Sequence, residues 1–513
     1  MREERHVGNK ADHRGQLGRG SLRQDLRQDR PIHGRDRTRA PASGIEDVRL
    51  AVAAAHSAFS AWSKTGPGER RALLLKAANR LASKADEFTR IMIEDAVPAH
   101  SRGSQWRRRS AKRTIRLFLA YAFSLESEAL EQEQAKLKNV FSVEDFRMRA
   151  KDFLPKMIFD YLEGGAEGES GLSRNVNAFG KWNFVPRRLT DVSKCSLKTT
   201  LLERGYSLPF YVSPTGLNGL IRPDGDRILA QAAARAGIPF VLSTASNLSI
   251  EDIAASGDGE RWFQLYVLHR DIARTMCQRA LTAGYEALIL TVDVPVNGYR
   301  ERDMRNRFAL PATYGLRTLA DGFMHPRWSI NFMRSGTPKL RNFETLEAPS
   351  PEAQAALMKR QMDASFDWDA LRQLREWWPK KLMVKGVLRA EDAVQCAACG
   401  VDALIVSNHG ARQLDGIISP LEVLAEIAAS VQIPILLDSG IRRGADALTS
   451  LCLGATIVGL GRAILYALAS DGQRGVERCL EILTDELKRG MALLGASSIT
   501  QLDHTLVRRS NWA

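Results

Sequence analysis

The chain has 513 residues, 44% hydrophobic and 26% charged, which is ordinary globular composition and enough for two to four domains of about 100 to 200 residues. It excludes wholesale disorder, a collagen and a disulfide-stapled miniprotein, and the best apolar run, residues 115–125, is about half of the ~20 residues a membrane-spanning helix needs. The formal charge of +14 is unevenly placed: residues 1–138 hold 28 Lys and Arg against 17 Asp and Glu, whereas residues 139–513 hold 45 against 42.

With no recognition motif beside it, the basic N-terminal third reads as solvated chain, and no nucleic-acid partner is expected. Six scattered cysteines and no secretory signal place the expected compartment in the cytoplasm with reduced thiols. Residues 1–44 show no period that could bury a face and read as a disordered basic tail. Over 45–97 apolar residues recur at helical spacing (Val48, Ala51, Val52, Ala55, Phe59; Leu73, Leu74, Ala77, Leu81) on either side of a Gly-Pro-Gly turn, which predicts a helical hairpin. Residues 98–138, with Arg107, Arg108, Arg109, Lys112, Arg113 and Arg116, read as a basic linker.

From residue 139 the pattern is regular. Eight short aliphatic or β-branched runs follow one another at 208–212, 239–243, 262–267, 287–292, 382–387, 403–406, 433–437 and 456–460. Most are separated by amphipathic helical stretches, at 226–236, 271–283, 390–398, 420–429 and 444–452. Strand and helix repeated eight times predict an α/β fold, a (β/α)8 TIM barrel. The fourth interval is too long for one barrel helix, so residues 295–380 are expected to contain an inserted excursion.

Active sites of such barrels lie at the C-terminal ends of the strands. Here those ends carry Ser243, Gln264, Tyr266, Thr291, Asp293, Lys385, His409, Arg412, Asp438 and Arg442, a convergence of polar and cationic groups that predicts a catalytic mouth. Gly440 and Gly461, in turns after the seventh and eighth strands, let backbone N–H groups approach an anion, and Arg462 adds a bidentate donor, so a phosphorylated ligand is expected there. His409 is suited to take a proton near neutral pH, Arg412 to hold a substrate carboxylate, and Asp293 to orient the imidazole.

Residues 139–505 resemble the FMN-dependent α-hydroxy-acid dehydrogenases and oxidases, on the signature Ser407-Asn-His-Gly-Ala-Arg-Gln413. The segments Leu154-Pro-Lys-Met-Ile-Phe-Asp-Tyr161, Pro214-Thr-Gly-Leu-Asn-Gly219, Val296-Asn-Gly-Tyr-Arg-Glu-Arg-Asp303 and Gln361-Met-Asp-Ala-Ser-Phe366 are most similar to the bacterial members that oxidise (S)-mandelate. Ala411 departs from the signature, which has glycine there; its methyl is expected to crowd substrate or flavin and slow the reaction. Separately, residues 45–97 resemble the N-terminal helices of aldehyde dehydrogenases, with no catalytic motif of that family following.

The first resemblance implies FMN as cofactor and oxidation of an (S)-2-hydroxy acid to the 2-oxo acid. It implies that His409 is the base and Asp293 its partner, that Arg412 and Arg300 clamp the carboxylate, and that Tyr161 and Tyr266 bind the carboxylate and hydroxyl. It places Ser243, Gln264 and Thr291 at the isoalloxazine ring with Pro214, Thr215 and Gly216 along its face. Lys385 falls near N1, Asp438 on the ribityl chain, and Gly440, Arg442, Gly461 and Arg462 at the phosphate. It further implies a homotetramer and a peripheral protein on the cytoplasmic side of the bacterial inner membrane, attached through 312–350 and passing electrons to a quinone. Phe323, Met324, Trp328, Ile330 and Phe332 are expected at the headgroup boundary with Arg327 and Arg334. L-Lactate as substrate, oxygen as acceptor, and a basic binding protein with a vestigial barrel are the alternatives. Cys396 and Cys399, though spaced as a redox pair, are read as buried helix positions.

Overall fold

The computed structural model describes residues 137–308, 321–344 and 362–510, and the backbone of two strands nearer the N-terminus. The chain divides into two units, Met1–Lys136 and Leu137–Ala513. In the first, β1 (Asp25–Asp29) pairs antiparallel with β2 (Asp36–Pro41), so this stretch of the expected structureless tail carries a ladder. Ladder bonds use backbone groups that every non-proline residue has, so a ladder can form where no side-chain period marks it. The expected helical hairpin at 45–97 lies outside the described residues.

In the second unit all eight expected strands are present: β6 (Phe210–Val212), β7 (Phe240–Ser243), β8 (Arg261–Leu265), β9 (Ala287–Thr291), β10 (Lys381–Val387), β11 (Ala403–Val406), β12 (Ile435–Leu437) and β13 (Ile457–Leu460). They pair in parallel and close on themselves, β9 bonding to β10 and β13 to β6. Their runs are continuously apolar because both faces are buried. Tyr211, Val241, Trp262, Ile289, Met383, Ile405, Leu436 and Ile457 point inward and form one core; Phe210, Leu242, Phe263 and Leu288 belong to a second, larger core beneath the helices.

Four short strands have no counterpart in the sequence reading. β3 (Trp182–Phe184) pairs with β14 (Val507–Arg509), and β4 (Thr199–Leu201) with β5 (Arg204–Tyr206). Leu201 and Tyr206 pack into the inner core, Tyr206 edge-on to Trp262 at 6.4 Å, so the β4–β5 hairpin closes the N-terminal end of the barrel. The final helix, Arg462–Leu494, breaks at Asp471 and Gly472, and Arg222 donates to the carbonyls of Leu468, Ala469 and Ser470 at the break.

Two expectations about the excursion need correction. Its last part is a regular barrel helix, Trp368–Trp377, capped by Asp367 accepting from the N–H of Ala370 at 3.0 Å and burying Ala370, Leu371 and Leu374. The insertion therefore ends before Asp367, not at 380. Within helix Pro326–Ser335, Trp328 and Phe332 turn inward, because the Trp328 indole N–H donates to the Leu220 carbonyl at 2.8 Å and its ring stacks on Phe332 at 4.9 Å, both packed against the body. The outward apolar residues are Phe323 (84% exposed), Met324, Ile330 and Met333 (73%), with Arg327 and Arg334 also exposed.

The turn after β11 decides the geometry of the mouth. His409, Gly410 and Ala411 all have left-handed backbone, with φ of 56°, 63° and 58°. The mutual Asn175–Asn408 side-chain bonds (2.9 and 2.7 Å) and the Asn408 side chain accepting from the N–H of Ala411 over-determine this turn. The Ala411 methyl does not enter the mouth: a Cβ placed on Gly171 would lie 2.7 Å from it, so the methyl fills space left by a glycine on helix Ser170–Asn177. This removes the physical basis for a slowed reaction.

Replacing Gly171 by Ala is expected to destabilise this chain by about 1–3 kcal/mol through overpacking, and Ala411→Gly to relieve most of that cost. Denaturant unfolding of the two single variants and the double variant checks the coupling; strict additivity would refute the contact. Because the described core is assembled from Leu137 onward, a chain beginning at Leu137 is expected to unfold cooperatively with an unchanged midpoint, as calorimetry would show.

Candidate active site

The inward-facing residues at the C-terminal end of the barrel form a polar ring above the apolar layers. Two arcs of it are hydrogen-bonded. Ser243 Oγ donates to Gln264 Oε1 and Gln264 Nε2 to Thr291 Oγ1, both at 2.9 Å. Lys385 Nζ donates to Ser407 Oγ at 2.7 Å and lies 3.2 Å from Asp438 Oδ2. All these residues are buried, and pairing of this kind is what allows a lysine and a carboxylate to remain there.

Over the ring lies a cavity of about 720 Å3. Of the expected residues it is lined by Tyr161, Pro214, Thr215, Gly216, Ser243, Tyr266, Arg300, Lys385, His409, Arg412, Asp438, Gly440, Arg442, Gly461 and Arg462. Gln264, Thr291 and Asp293 do not reach its wall. The first two stand behind Ser243 through the bonded arc, and Asp293 stands behind His409.

His409 Nδ1 lies 2.8 Å from Asp293 Oδ1, and His409 Nε2 lies 3.2 Å from the Tyr266 hydroxyl. Burial pushes the Asp293 carboxyl up, but the facing His409, the charge of Lys385 and the His409 hydrogen bond outweigh it and hold it below the usual carboxylate range. An ionised Asp293 accepts from Nδ1–H and thereby leaves Nε2 facing the cavity as the basic nitrogen. Burial, then the Asp293 charge, push the Tyr266 phenol up, so it remains a donor. Gly386, in the β10 bulge with φ of 110°, makes this approach possible: a Cβ there would lie 2.7 Å from Asp293 Cβ.

Arg412 sits 5.1 Å above the Tyr161 ring and donates to the carbonyls of Tyr161 and Gly164, at 2.8 and 2.7 Å. Arg462 is held by the carbonyls of Leu162, Gly410 and Gly164. Burial and the charge of Arg412 push the Arg462 guanidinium down to about 10. Burial and Arg300 likewise lower Arg412. Among the described residues the wall thus carries five cations, Arg300, Lys385, Arg412, Arg442 and Arg462, against the one carboxylate of Asp438. A cavity so charged is built for anions, one at the Gly440–Gly461 end and one at the His409 end.

Sequence reasoning missed several contributors. Asp303 lies 3.5 Å from Arg300, and Phe308 stacks on Tyr161 at 4.7 Å. Leu268, Val294, Leu340, Phe343 and Met362 complete an apolar wall with Phe308. Only the charge spacing of Arg300 and Asp303 was available as a signal. The apolar wall comes together from separate loops, and no local pattern marks it. Among the described residues no cluster could hold a metal ion, and no helix is long and apolar enough to cross a membrane.

This geometry agrees with the comparisons to known proteins. Residues 20–144 match the aldehyde dehydrogenase family model, a longer stretch than the 45–97 of the sequence reading. The chain is 55% identical over 365 residues to (S)-mandelate dehydrogenase of Pseudomonas putida, covering 71% of this chain and 93% of that one. It is 39% identical over 372 residues to an L-lactate dehydrogenase of Vibrio cholerae, covering 71% and 98%. A crystal structure of the monotopic membrane protein (S)-mandelate dehydrogenase superposes with a TM-score of 0.70 at 54% identity, over 72% of this chain and all of that one. A mandelate oxidase superposes with a TM-score of 0.61 at 35% identity, over 72% and 100%. With residues 150–509 matching the FMN-dependent dehydrogenase model across the barrel, the polar ring and the cationic mouth, the chain belongs to that family and takes FMN as its cofactor.

Proposed function

We propose that the chain oxidises (S)-mandelate, or a closely similar aromatic (S)-2-hydroxy acid, to the 2-oxo acid, with a membrane quinone as the final acceptor. The observation that carries this reading is the line Asp293, His409, Tyr266 at the end of a cationic cavity with an apolar wall. The substrate carboxylate is held by Arg412 and Arg300, assisted by the Tyr161 hydroxyl. Tyr266 bonds the substrate hydroxyl beside His409 Nε2, which takes the proton released in oxidation while Asp293 stabilises the resulting imidazolium. FMN, when bound, accepts the two electrons that leave the substrate.

The phosphate of the cofactor fits the end formed by Gly440, Arg442, Gly461 and Arg462, where the two guanidinium groups line the cavity and the nearby carboxylates of Glu163 and Asp446 do not. Asp438, on the cavity wall, would hold its ribityl chain. Lys385 would supply positive charge beside the ring, with Ser243, backed by Gln264 and Thr291, beneath it and Pro214, Thr215 and Gly216 along its face. Phe308, Phe343, Leu340 and Met362 favour a phenyl substituent over the methyl group of lactate, since the larger ring removes more apolar surface from water.

The outward residues Phe323, Met324, Ile330 and Met333, flanked by Arg327 and Arg334, suit a headgroup boundary on the cytoplasmic leaflet. Membrane attachment through this part of the excursion, and assembly as a homotetramer, complete the proposal.

His409→Gln is expected to slow mandelate-driven flavin bleaching by at least about 100-fold while FMN content is unchanged. Anaerobic rapid mixing checks this, and a rate within tenfold of the parent would remove His409 from the role of base. In the parent protein, mandelate is expected to outcompete lactate in the same assay. Changing Phe323, Met324, Ile330 and Met333 together to Ser is expected to abolish flotation with anionic vesicles and to leave flavin reduction intact. Equal flotation of both proteins would place attachment elsewhere.

A further inference from the structure

The polar ring has a third arc that no side-chain hydrogen bond joins to the other two. Between Asp438 on one side and Ser243 on the other stand Ser213, following β6, and Gly459 on β13. Ser213 Oγ and the hydroxyl of Tyr211, which lies one inward position below, are both buried, and neither has a hydrogen-bond partner outside this pair. Gly459 makes room for them: a Cβ there would lie 2.4 Å from Ser213 Oγ and 2.6 Å from the Tyr211 hydroxyl. Two adjacent buried hydroxyls with no partner but each other leave at least one O–H without an acceptor, which native interiors seldom do, so their position at the edge of a ligand cavity calls for an occupant. Ser213, Gly459 and Asp438 all line that cavity. Burial, then the charge of Asp438, push the Tyr211 phenol far up, with a hydrogen bond to Ser213 acting in the opposite sense, so Tyr211 keeps its proton and has one to donate.

We propose that Tyr211 and Ser213 form a two-hydroxyl relay in which Ser213 binds a hydroxyl of the FMN ribityl chain and Tyr211 holds Ser213 in place. Tyr211 O–H donates a hydrogen bond to Ser213 Oγ, which leaves the serine O–H free to donate to the cofactor. Ser213 is thus a cofactor contact and Tyr211 a positioning residue. Phe at 211 would fill the same space without the relay, and Ala at 459 would displace both hydroxyls. The proposal rests on FMN occupying this cavity, and the parent protein tests that condition independently.

The experiment titrates FMN-free protein with two ligands, FMN and an analogue whose five-carbon side chain carries the phosphate but no hydroxyls, each followed by flavin fluorescence. The parent is expected to prefer FMN. Ser213→Ala should weaken FMN about tenfold, the loss of one hydrogen bond to a buried partner, and leave the analogue unchanged. Tyr211→Phe should weaken FMN by a smaller factor, again without effect on the analogue, whose binding also shows that each variant is folded. An equal loss for both ligands in Ser213→Ala would mean that the serine only packs, and no loss for either would mean that another group, such as a buried water, satisfies the pair. Either result overturns the proposal. Failure of the parent to bind FMN would instead refute the assignment of the cavity.

Discussion

A closed parallel barrel gives each strand only one inward side chain in two, and the last inward position before the mouth is the first one wide enough to meet a ligand. In this protein that layer is occupied by Ser213, Ser243, Gln264, Thr291, Lys385, Ser407, Asp438 and Gly459, above a layer that is mostly aliphatic and aromatic. The switch from apolar to polar within one residue pair is what the rest of the site depends on. It fixes a neutral, bonded arc on one side, an ion pair on the other, and leaves the reactive groups to the loops that rise above it. Asp293 and His409 belong to those loops and meet only because closure brings β9 and β11 to either side of β10.

The cations of the wall follow from the same closure. Strand ends that are far apart in sequence deliver Arg300, Arg412, Arg442 and Arg462 to one enclosed space, and their mutual repulsion has to be offset. The backbone carbonyls of Tyr161, Leu162, Gly164 and Gly410 take part of that load, accepting from Arg412 and Arg462. Carbonyl dipoles reduce the cost of bringing guanidinium groups together without neutralising them, so the positive potential survives for an incoming anion. A carboxylate in the same place would have quenched it. Asp303 stands beside Arg300 but outside the wall, which preserves the balance.

Much of this was legible beforehand because period and burial are linked: eight runs with both faces buried leave eight continuous apolar segments, and the strands occur where those segments lie. The strand-end residues were equally legible, since a residue one or two positions past a buried run has to face the mouth. What escaped has a physical reason in each case. The helix Trp368–Trp377 was absorbed into the excursion because the excursion was bounded by the apolar strand run that follows it, although its buried face of Ala370, Leu371 and Leu374 recurs at helical spacing. The inward turn of Trp328 depends on a carbonyl at Leu220, more than a hundred residues away. The accommodation of the Ala411 methyl depends on the absence of a side chain at Gly171, which no local pattern at 411 records.

The excursion ties the surface to the cofactor layer through few but buried contacts. Asn342 is fully buried, accepts from the N–H of Ile250 at 2.9 Å and directs its amide towards the carbonyls of Ser243 and Thr244. Asn247 donates to the Lys339 carbonyl at 3.0 Å and also accepts from Gly219 at the mouth. Leu340 and Phe343, on the same short stretch, line the cavity. One segment therefore anchors on the strand end that carries Ser243, supplies part of the apolar wall, and continues from the helix whose outer face presents Ile330 and Met333. Buried amide contacts are directional and are costly to leave unmade, so this segment can shift only by breaking bonds to β7. The outward apolar residues are consequently carried by a rigid support and not by a free loop, which sets the orientation of the mouth relative to whatever surface those residues meet.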